Sequence, residues 1–522
     1  MKNNKVLLYT LIVSLGGFIF GFDASVISGA IAQITTEFEL STIEQGLIVS
    51  APTLGAIVAT IFAGFLADTF DRRTTLKIIA FLYLVSAALS AIAINESWLI
   101  AARFIGGLAF CSLMIAPMYI AEISRPEARG KMVSINQLNI VIGFSVAYFA
   151  NYFILGFSQS NALWVTHFGI DTHTWRWMLG LEVLPALLYF IGLFFIPKSP
   201  RWLTVTGRHN EAKTALSKLY PAMSEQEQSR EILHIENTGK VCSPLVNRLS
   251  ALFGSKMRFV LGVGLIVGIA QQVTGVNAIY FYAPSIFEQS GIGTNAAFAQ
   301  AIWVGVINII FTLVAMALID KVGRKPLLLF GLTGVVISML ICSYGYREAQ
   351  YVLTANDIAS LTQIDKHTEL SAIQDVIYSS DVEFKNAVAD LIGSVNLQSH
   401  QGAIIQAAAQ LNATLILLGI LFFVASFAVS LGPVMWVMFS EIFPNHLRGL
   451  AISAVSVINS LCSFIITLVF PWELENLGSA TTFILYGVFA AVGFMMVYKF
   501  VPETKGLSLE EIEKELNAIT HR

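Results

Sequence analysis

Uncharged polar side chains interrupt one of the long apolar stretches of this sequence. Gln271, Gln272 and Asn277 lie inside an apolar run that opens near Phe259. An unpaired amide in hydrocarbon is costly, so such side chains usually face a bundle interior or a water-filled cavity. Amides offer hydrogen-bond donors and acceptors without charge, and aromatic residues follow directly in the same run. This combination predicts a site for a neutral, hydroxyl-rich ligand.

Three ionisable residues are also embedded in apolar runs. Asp23 lies in the first run, Arg103 in the fourth and Glu182 in the sixth. An ionised carboxylate at membrane depth must pair, take up a proton or face water. Arg103 is the nearest candidate partner for Asp23. A carboxyl group balanced between burial and a nearby arginine can bind and release a proton as its surroundings change, so we expect a proton site here.

The composition places these residues in a membrane protein. Of 522 residues, 56% are hydrophobic and 12% are charged, whereas soluble proteins carry about 25% charged residues. The net charge of −3 gives no indication of nucleic-acid binding, and the four cysteines lack the spacing of metal ligands. Twelve apolar stretches are long enough to cross a bilayer. They cover approximately residues 6–31, 46–67, 76–95, 98–121, 132–155, 176–196, 258–285, 297–319, 326–346, 411–438, 450–471 and 479–501.

The basic residues predict the orientation of the chain. The loops 32–45, 286–296 and 472–478 contain no Lys or Arg, whereas the loops on the other side are rich in both. Because cytoplasmic loops carry the excess of Lys and Arg, we expect both termini to be cytoplasmic. The first run is too long for the apolar core of a signal peptide, so we interpret it as the first span.

The sequence repeats itself. Asp68 with Arg72 resembles Asp320 with Arg324, and Glu122 with Arg129 resembles Glu441 with Arg448. The two pairs of motifs are separated by different distances, and the segment 347–410 has the length of the difference. We therefore predict five regions, which are an N-terminal six-helix bundle (1–196), a cytoplasmic linker with short helices (197–257), a C-terminal six-helix bundle (258–507), an extracytoplasmic insert within it (347–410) and a cytoplasmic C-terminal helix (508–522).

The insert is polar and net acidic, with apolar residues at helical spacing. Ile358, Leu361 and Ile364 form one such set, and Ala372, Val376 and Ile377 form another. These patterns predict helices on the extracytoplasmic side. Three interpretations stay open, namely a solvated decoration, a lid, or a cap that docks a partner.

Seven motifs in order resemble the sugar porters of the major facilitator superfamily. They cover nearly the whole chain apart from the insert. The motifs are Asp68…Arg72-Arg73, Glu122…Arg129-Gly130, Pro197-Lys198-Ser199-Pro200-Arg201-Trp202-Leu203, Gln271-Gln272…Gly275…Asn277, Asp320…Gly323-Arg324-Lys325, Glu441…Arg448-Gly449 and Pro502-Glu503-Thr504-Lys505-Gly506. The resemblance, which is to bacterial proton-coupled xylose and glucose symporters, implies an all-α membrane protein with twelve transmembrane helices in two pseudo-symmetric six-helix bundles.

The resemblance also implies roles for individual residues. The expected sugar-binding residues are Phe20, Gln137, Gln271, Gln272, Asn277, Asn308, Trp436 and Asn459. The expected proton-coupling residues are Asp23, Arg103 and Glu182. The expected conformational latch consists of Asp68, Arg72, Glu122, Arg129, Asp320, Arg324, Glu441 and Arg448.

Local features refine these expectations. A helix break near Gly275 would bring Gln272 and Asn277 together, and Gly432-Pro433 predicts a hinge in the tenth span. Asp71 stands where the family usually has glycine, and we expect it to loosen the first turn of the third span.

The sequence thus predicts a proton-coupled importer of a hexose or pentose that works by alternating access. A facilitative sugar uniporter and a polyol or inositol transporter remain alternatives, and a transport-dead sugar receptor is a further one. We expect no enzyme, because no nucleophile–base pair, phosphate loop or metal cluster is recognisable. The expected coupling ion is the proton, with no cofactor and no metal. The expected partners are a monosaccharide and the lipid bilayer, for a monomer in a bacterial inner membrane.

Overall fold

The computed structural model describes residues 4–238, 250–444 and 447–505. Within this part of the chain, eleven helices are long and apolar enough to cross a membrane. The sixth expected span is also helical but is split, with one helix over Thr174–Gly180 and another over Val183–Gly192. The predicted C-terminal helix 508–522 lies outside the described residues.

The first half and the linker are almost wholly helical. The helices are α1 (Asn4–Phe38), α2 (Thr42–Phe70), α3 (Arg72–Ala91), α4 (Glu96–Leu108), α5 (Ser112–Ile123), α6 (Pro126–Ser158), α7 (Leu163–His167), α8 (Thr174–Gly180), α9 (Val183–Gly192), α10 (Pro200–Val205), α11 (His209–Leu219) and α12 (Glu225–Thr238). A 3₁₀ turn over Ala109–Cys111 joins α4 to α5, so these two helices form one span. Leu203, Leu216 and Ile232 form a small apolar core that holds the linker helices together.

The second half repeats this pattern with an additional segment. Its elements are α13 (Ser255–Val273), α14 (Val276–Phe281), α15 (Ala283–Glu288), α16 (Thr294–Val322), α17 (Arg324–Arg347), β1 (Gln350–Tyr351), α18 (Ala355–Ser360), α19 (Asp381–Ile392), α20 (Ser394–Ala408), β2 (Ala409–Gln410), α21 (Ala413–Val429), α22 (Leu431–Ile442), α23 (Arg448–Asn476) and α24 (Gly478–Phe500). Between halves, α2 packs along α23 and α6 packs along α16.

The insert is a compact unit with its own apolar core. Strands β1 and β2 pair antiparallel and close its two ends together. Its interior includes Tyr351, Leu370, Phe384 and Ile404, all nearly inaccessible to solvent. The predicted helical character holds at Ile358, and Ala372 lies in a 3₁₀ turn over His367–Ile373. The prediction is wrong at Leu361 and Ile364, which follow the end of α18. It is also wrong over Val376 and Ile377. These two residues lie outside any helix and are exposed, because the chain there forms a bridge back to β1.

The molecule has two opposite faces, the insert face and the basic face. The insert face carries residues 347–410. The basic face carries the turns between α2 and α3 and between α16 and α17, together with the first helical residue of α1 and the last of α24. The helices that run between these faces place the buried polar residues at mid-depth.

Candidate functional site

The amide residues of the second half lie where a membrane helix breaks. Helix α13 ends at Val273 and α14 begins at Val276, and Gly275 between them has a φ of 83°. Glycine adopts this left-handed conformation without the steric cost that other residues carry. The break turns Asn277 toward Gln272, although residues five apart would lie on different faces of a straight helix. The predicted break is therefore present, and it assembles a cluster of amides.

Four side-chain amides form a continuous hydrogen-bonded chain. Asn277 Nδ2 donates to Gln272 Oε1 at 2.9 Å, and Gln272 Nε2 donates to Asn459 Oδ1 at 3.2 Å. Asn459 Nδ2 donates in turn to Gln271 Oε1 at 3.0 Å. Gln271, Gln272 and Asn459 are buried. Because each amide is oriented by its neighbour, the cluster offers donors and acceptors in fixed directions, as recognition of adjacent hydroxyl groups requires.

Ser463 belongs to this cluster, and the sequence analysis did not select it. Its hydroxyl accepts a hydrogen bond from Asn277 Nδ2. Ser463 lies one helical turn beyond Asn459 on α23, so both side chains face the broken helix. A pair of polar residues at this spacing on an otherwise apolar helix was the available sequence signal.

The other expected sugar contacts lie on four further helices. Phe20 on α1 packs edge-on against Phe110, with ring centroids 4.6 Å apart. Gln137 on α6 is partly exposed and Asn308 on α16 is buried, and neither amide has a hydrogen-bond partner among the described residues. Trp436 on α22 is 40% exposed. No hydrogen bond within the described ranges joins Gln137, Asn308 or Trp436 to the amide cluster, so the polar atoms of these three side chains remain available to a ligand, and Phe20 offers its ring.

The tenth span breaks close to the predicted hinge. Helix α21 ends at Val429, and Ser430 leaves the helical conformation with φ −128° and ψ −94°. Pro433 explains the position, because its ring would collide with the Val429 carbonyl in a continuous helix and it has no N–H to donate. The break lies slightly before Gly432-Pro433, and Gln271 Nε2 donates to the carbonyl of Leu431 at 3.1 Å. The hinge and the amide cluster are thus directly connected.

Asp23 and Arg103 form an ion pair deep in the first half. Arg103 Nη1 lies 3.2 Å from Asp23 Oδ1, and the two residues are 2% and 3% exposed, respectively. Arg103 Nε also donates to the Ile48 carbonyl at 2.9 Å, which ties α4 to α2. Asp23 Oδ2 is buried and accepts no hydrogen bond from any described residue. One oxygen of the carboxyl group is therefore paired with Arg103, and the other lies beside Glu182 and has no donor when both carboxyl groups are ionised.

Glu182 lies where the sixth span is interrupted. Helix α8 ends at Gly180 and α9 begins at Val183, and Pro185 prevents an unbroken helix through this segment. Glu182 is 3% exposed and interacts electrostatically with both Asp23 and Arg103. Two carboxyl groups thus share one guanidinium in a dry environment. A proton on either carboxyl group would make the net charge of Asp23, Glu182 and Arg103 zero.

Each half carries an arginine–glutamate cluster on the basic face. In the first half, Arg72 Nε donates to Glu122 Oε1 at 3.1 Å, and the Ser199 hydroxyl donates to Glu122 Oε2. In the second half, Arg324 Nη2 lies 2.7 Å from Glu441 Oε1, and the Thr504 hydroxyl donates to Glu441 Oε2. The two hydroxyl partners, Ser199 and Thr504, were not predicted. Their signal was the matching Pro-x-Ser/Thr pattern at positions 197–199 and 502–504.

The remaining latch residues are arranged differently. Asp320 is largely exposed and pairs with Arg324 at 3.1 Å. Arg448 Nε donates to the Phe443 carbonyl at 3.2 Å, and Arg129 is exposed. Neither Arg129 nor Arg448 forms an ion pair with a described residue. Asp68 belongs to α2, but its side chain lies outside the described part of the structure.

Asp71 stabilises the turn that it was expected to loosen. It is the N-cap residue of α3 with a φ of 66°, and its carboxylate accepts the Thr74 N–H at 3.0 Å and the Thr74 hydroxyl at 2.9 Å. The φ of 66° and ψ of 158° of Asp71 lie in a region that residues other than glycine rarely adopt, so its backbone is strained, and the helix cap that its carboxylate provides offsets this cost. The prediction was wrong because it weighed backbone strain and neglected the cap.

Hydrogen bonds between the two halves lie toward the insert face. Tyr148 Oη donates to the Tyr280 carbonyl at 2.6 Å. Gln159 and Asn295 exchange two amide hydrogen bonds, at 3.0 and 3.1 Å. In the described residues no ion pair joins the halves on the basic face. Among the described residues, these side-chain hydrogen bonds therefore join the halves on the insert-face side of the polar sites.

Comparison with known proteins agrees with this geometry. Residues 9–363 and 391–516 match the family described as "Sugar (and other) transporter". The chain belongs to this family. It is 34% identical to an arabinose-proton symporter of Bacillus subtilis, over 98% of this chain and 94% of the relative. It is 31% identical to the D-xylose-proton symporter of Escherichia coli K12, over 97% of this chain and 94% of the relative.

Solved structures confirm the major facilitator fold. The chain superimposes on the inward open conformation of the xylose transporter XylE from E. coli with a TM-score of 0.73. The two are 29% identical, and the match covers 98% of this chain and 99% of the other. The predictions of a sugar porter fold and of its resemblance to xylose symporters are therefore confirmed. The likeness to an inward open form agrees with hydrogen bonding between the halves toward the insert face.

Proposed function

We propose that this protein imports a pentose or hexose together with protons by alternating access. The observation that carries the proposal is the Asp23–Arg103 pair, buried at mid-depth in a protein whose other half presents a neutral amide cluster. The membership of the family and the relatives named as arabinose-proton and xylose-proton symporters support it. A facilitative carrier would need only the amide cluster.

In this proposal the sugar is held by amides, one serine and aromatic rings. Gln272, Asn277 and Asn459 bridge neighbouring hydroxyl groups, because each carries a donor and an acceptor in a fixed direction. Gln137 and Asn308 complete the site from α6 and α16 with their unpartnered amides. Trp436 covers the apolar face of the sugar ring and donates one hydrogen bond.

Proton binding takes place at the first-half cluster. When Asp23 is ionised, Arg103 holds it as an ion pair, and removing one partner of such a pair leaves a costly buried charge. When a proton binds, the attraction to Arg103 weakens and α1 can move relative to α4. Glu182 belongs to the same cluster, so two carboxylates face one guanidinium. The resulting net negative charge attracts a proton to the cluster.

The energy available from one proton is sufficient for accumulation. One charge that crosses about 100 mV supplies about 2.3 kcal/mol. At about 1.4 kcal/mol per factor of ten, this corresponds to roughly 50-fold accumulation of a neutral sugar. A pH difference across the membrane adds to this factor.

The basic-face clusters act as latches between states. Arg72–Glu122 and Arg324–Glu441 keep each half rigid, while Arg129 and Arg448 are free to pair across the halves when the basic face closes. The positive-inside rule places this face in the cytoplasm, with both termini, and the protein acts as a monomer in the bacterial inner membrane.

The test is uptake of labelled L-arabinose, D-xylose and D-glucose into proteoliposomes with and without an inward proton gradient. We expect at least one of these sugars to accumulate above equilibrium when the gradient is imposed, and a protonophore to abolish the accumulation. A sugar that only equilibrates, regardless of the gradient, identifies a uniporter and contradicts the proposal. Uptake that only polyols inhibit identifies a polyol transporter instead.

A further inference from the structure

A polar cavity, separate from the central amide cluster, lies between the insert and the two helical halves. Its volume is about 700 Å³, within the range of ligand sites of about 300–1,000 Å³. It is bounded by the end of α1, by α15, by the end of α23 and by α19 and α20 of the insert. None of the amides of the central cluster lines it. We call this cavity the vestibule.

The vestibule is lined chiefly by uncharged hydrogen-bonding side chains. Two of their polar atoms, Thr35 Oγ1 and Gln289 Oε1, are buried and have no hydrogen-bond partner among the described residues. Buried polar atoms in native proteins are normally satisfied, so a ligand in the vestibule can complete these two atoms only after their side chains turn toward it. The amide residues of the lining are Gln33, Gln45, Gln289, Gln363, Asn386, Gln398 and Gln401.

The charges of the vestibule exclude an anionic ligand. Its lysine, Lys385, is already paired with Asp381 at 3.2 Å. Glu37, Asp171, Glu288 and Glu475 also line the vestibule, and among these acidic residues Glu37 is paired with Arg176. No cluster of His, Cys, Asp and Glu suited to a metal ion is present among the described residues. A neutral, polyhydroxylated ligand therefore fits this lining best.

The insert forms the roof of the vestibule and is fixed to the body. Asp381 Oδ2 accepts the Ser479 N–H and the Ser479 hydroxyl at the start of α24, each at 3.1 Å. A carboxylate at a helix N-terminus is stabilised by the unpaired N–H groups there. Helix α20 also contacts α1 of the first half, so the roof spans both halves. Residues 364–390 of the insert fall between the two stretches that match the family, so most of α19 lies outside the match and α20 lies within it.

We propose that the vestibule is a second sugar site, which captures a neutral mono- or short oligosaccharide on the insert face before it reaches the central amides. The proposal rests on the proposed function. Tyr282 lines the vestibule and lies five residues from Asn277 on the broken helix. At 1.5 Å per residue this is about 7–8 Å, so the vestibule lies within two helical turns of the central amides.

The test uses a single cysteine in the vestibule. Ser399 lines the cavity on α20, and Ser371 is an exposed insert residue that does not line it. Ser399→Cys is prepared in a variant without the four native cysteines and labelled with a membrane-impermeant maleimide. D-Xylose, L-arabinose and D-glucose are the protecting ligands. At ten times its Kd, a bound sugar slows labelling by about tenfold, and Ser371→Cys labels at the same rate with and without sugar.

Two further variants separate the vestibule from the central site. Protection of position 399 should persist with Gln272→Ala, which damages only the central cluster, and should disappear with Gln289→Ala. Absence of protection in the parent protein, or its loss with Gln272→Ala, overturns the proposal. If a sugar protects position 399 but is not accumulated in proteoliposomes, the proposed function fails while the vestibule site stands.

Discussion

The same position of the internal repeat carries a carboxylate in the first half and an amide in the second. Gly21-Phe22-Asp23-Ala24 aligns with Gly275-Val276-Asn277-Ala278. Asp23 pairs with a guanidinium at 3.2 Å, whereas Asn277 donates to the Gln272 amide at 2.9 Å. Two side chains of nearly equal shape thus define a charged site in one half and a neutral site in the other. In the proposed mechanism the proton binds in the first half, and the sugar binds chiefly to the amides of the second half.

The backbone around this position also differs. Helix α1 continues through Gly21, where an added Cβ would lie 2.0 Å from the Ile140 carbonyl oxygen of α6. Gly275 instead ends a helix, and an added Cβ would lie 3.1 Å from the Tyr486 ring. One glycine permits close packing of two helices and the other permits a break. The charged site therefore lies on a continuous helix, and the neutral site lies at a helix break.

Exchanging each glycine for alanine should give unequal losses. Gly21→Ala forces backbone atoms of α1 and α6 apart, so we expect the folded protein to be lost or its Tm to fall sharply. Gly275→Ala meets a ring that can shift, and the left-handed conformation costs about 1–3 kcal/mol. Gly262→Ala is the control, because nothing lies within 4 Å of an added Cβ there. Equal thermal stability of Gly21→Ala and Gly262→Ala in detergent would contradict this account of the first half.

Asn277→Asp gives the second half the chemistry of the first without an arginine to pair with it. The new carboxylate is surrounded by Gln272 and Ser463 and loses the two hydrogen bonds that Asn277 donates. Asn277 is partly buried, and a carboxylate at this position cannot donate a hydrogen bond to the sugar. The loss of one hydrogen bond, worth about 1.4 kcal/mol, should lower sugar affinity by on the order of tenfold. Titration calorimetry measures this loss, and the exposed Asn476→Asp serves as control. Unchanged affinity would remove Asn277 from the sugar site.

The turns on the basic face show a second exchange between the halves. In the second half, Glu503 caps α17 by accepting the N–H groups of Arg324 and Lys325, at 3.0 and 3.1 Å, and Gly323 leaves room for it. In the first half the residue corresponding to Glu503 is Lys198, and Asp71 provides the carboxylate from the glycine position. The carboxylate that caps the helix thus comes from the segment after α24 in the second half and from the α2–α3 turn itself in the first half.

A double-mutant cycle sharpens this second comparison. Lys198→Glu alone removes the ion pair between Lys198 and Glu211 and, by its correspondence with Glu503, adds a second carboxylate to the turn that Asp71 caps, so it should lower stability. Combination with Asp71→Gly recreates the arrangement of the second half and should restore it, with a coupling energy of about 1–2 kcal/mol. Thermal unfolding of the four proteins gives the coupling. Additive effects of the two substitutions would show that the turns are built independently of the linker motifs.

A smaller effect concerns Glu288, which follows the second-half break and corresponds to the fully buried Ile34 of the first half. Burial raises the pKa of Glu288 from 4.5 to about 7, although a hydrogen bond with Thr294 opposes the shift. The folded state therefore binds a proton more tightly than the unfolded state, and its stability should fall as the pH rises through 7. The Tm of the wild type should decrease more than that of Glu288→Gln between pH 6 and 8. Parallel pH profiles would contradict this assignment.

The sequence predicted those features that a local rule determines. Apolar run length predicted the spans, the cost of a buried charge predicted the Asp23–Arg103 pair, and a helix-breaking glycine predicted the joint at Gly275. Features that depend on which helices meet were missed, such as Ser463 beside Asn277. The vestibule was missed as well, because neither α1 nor the insert reveals by itself that the two will enclose a cavity.

The most direct test of the proposed mechanism is sugar transport by Asp23→Asn, which gives the first half the neutral chemistry of the second. Proteoliposomes with the wild type, with Asp23→Asn and with the exposed control Asp365→Asn are compared for accumulation under a proton gradient and for exchange of labelled against unlabelled sugar. We predict that Asp23→Asn loses accumulation and retains exchange, while the control retains both. Accumulation by Asp23→Asn at the wild-type level would contradict a coupling role for this carboxylate.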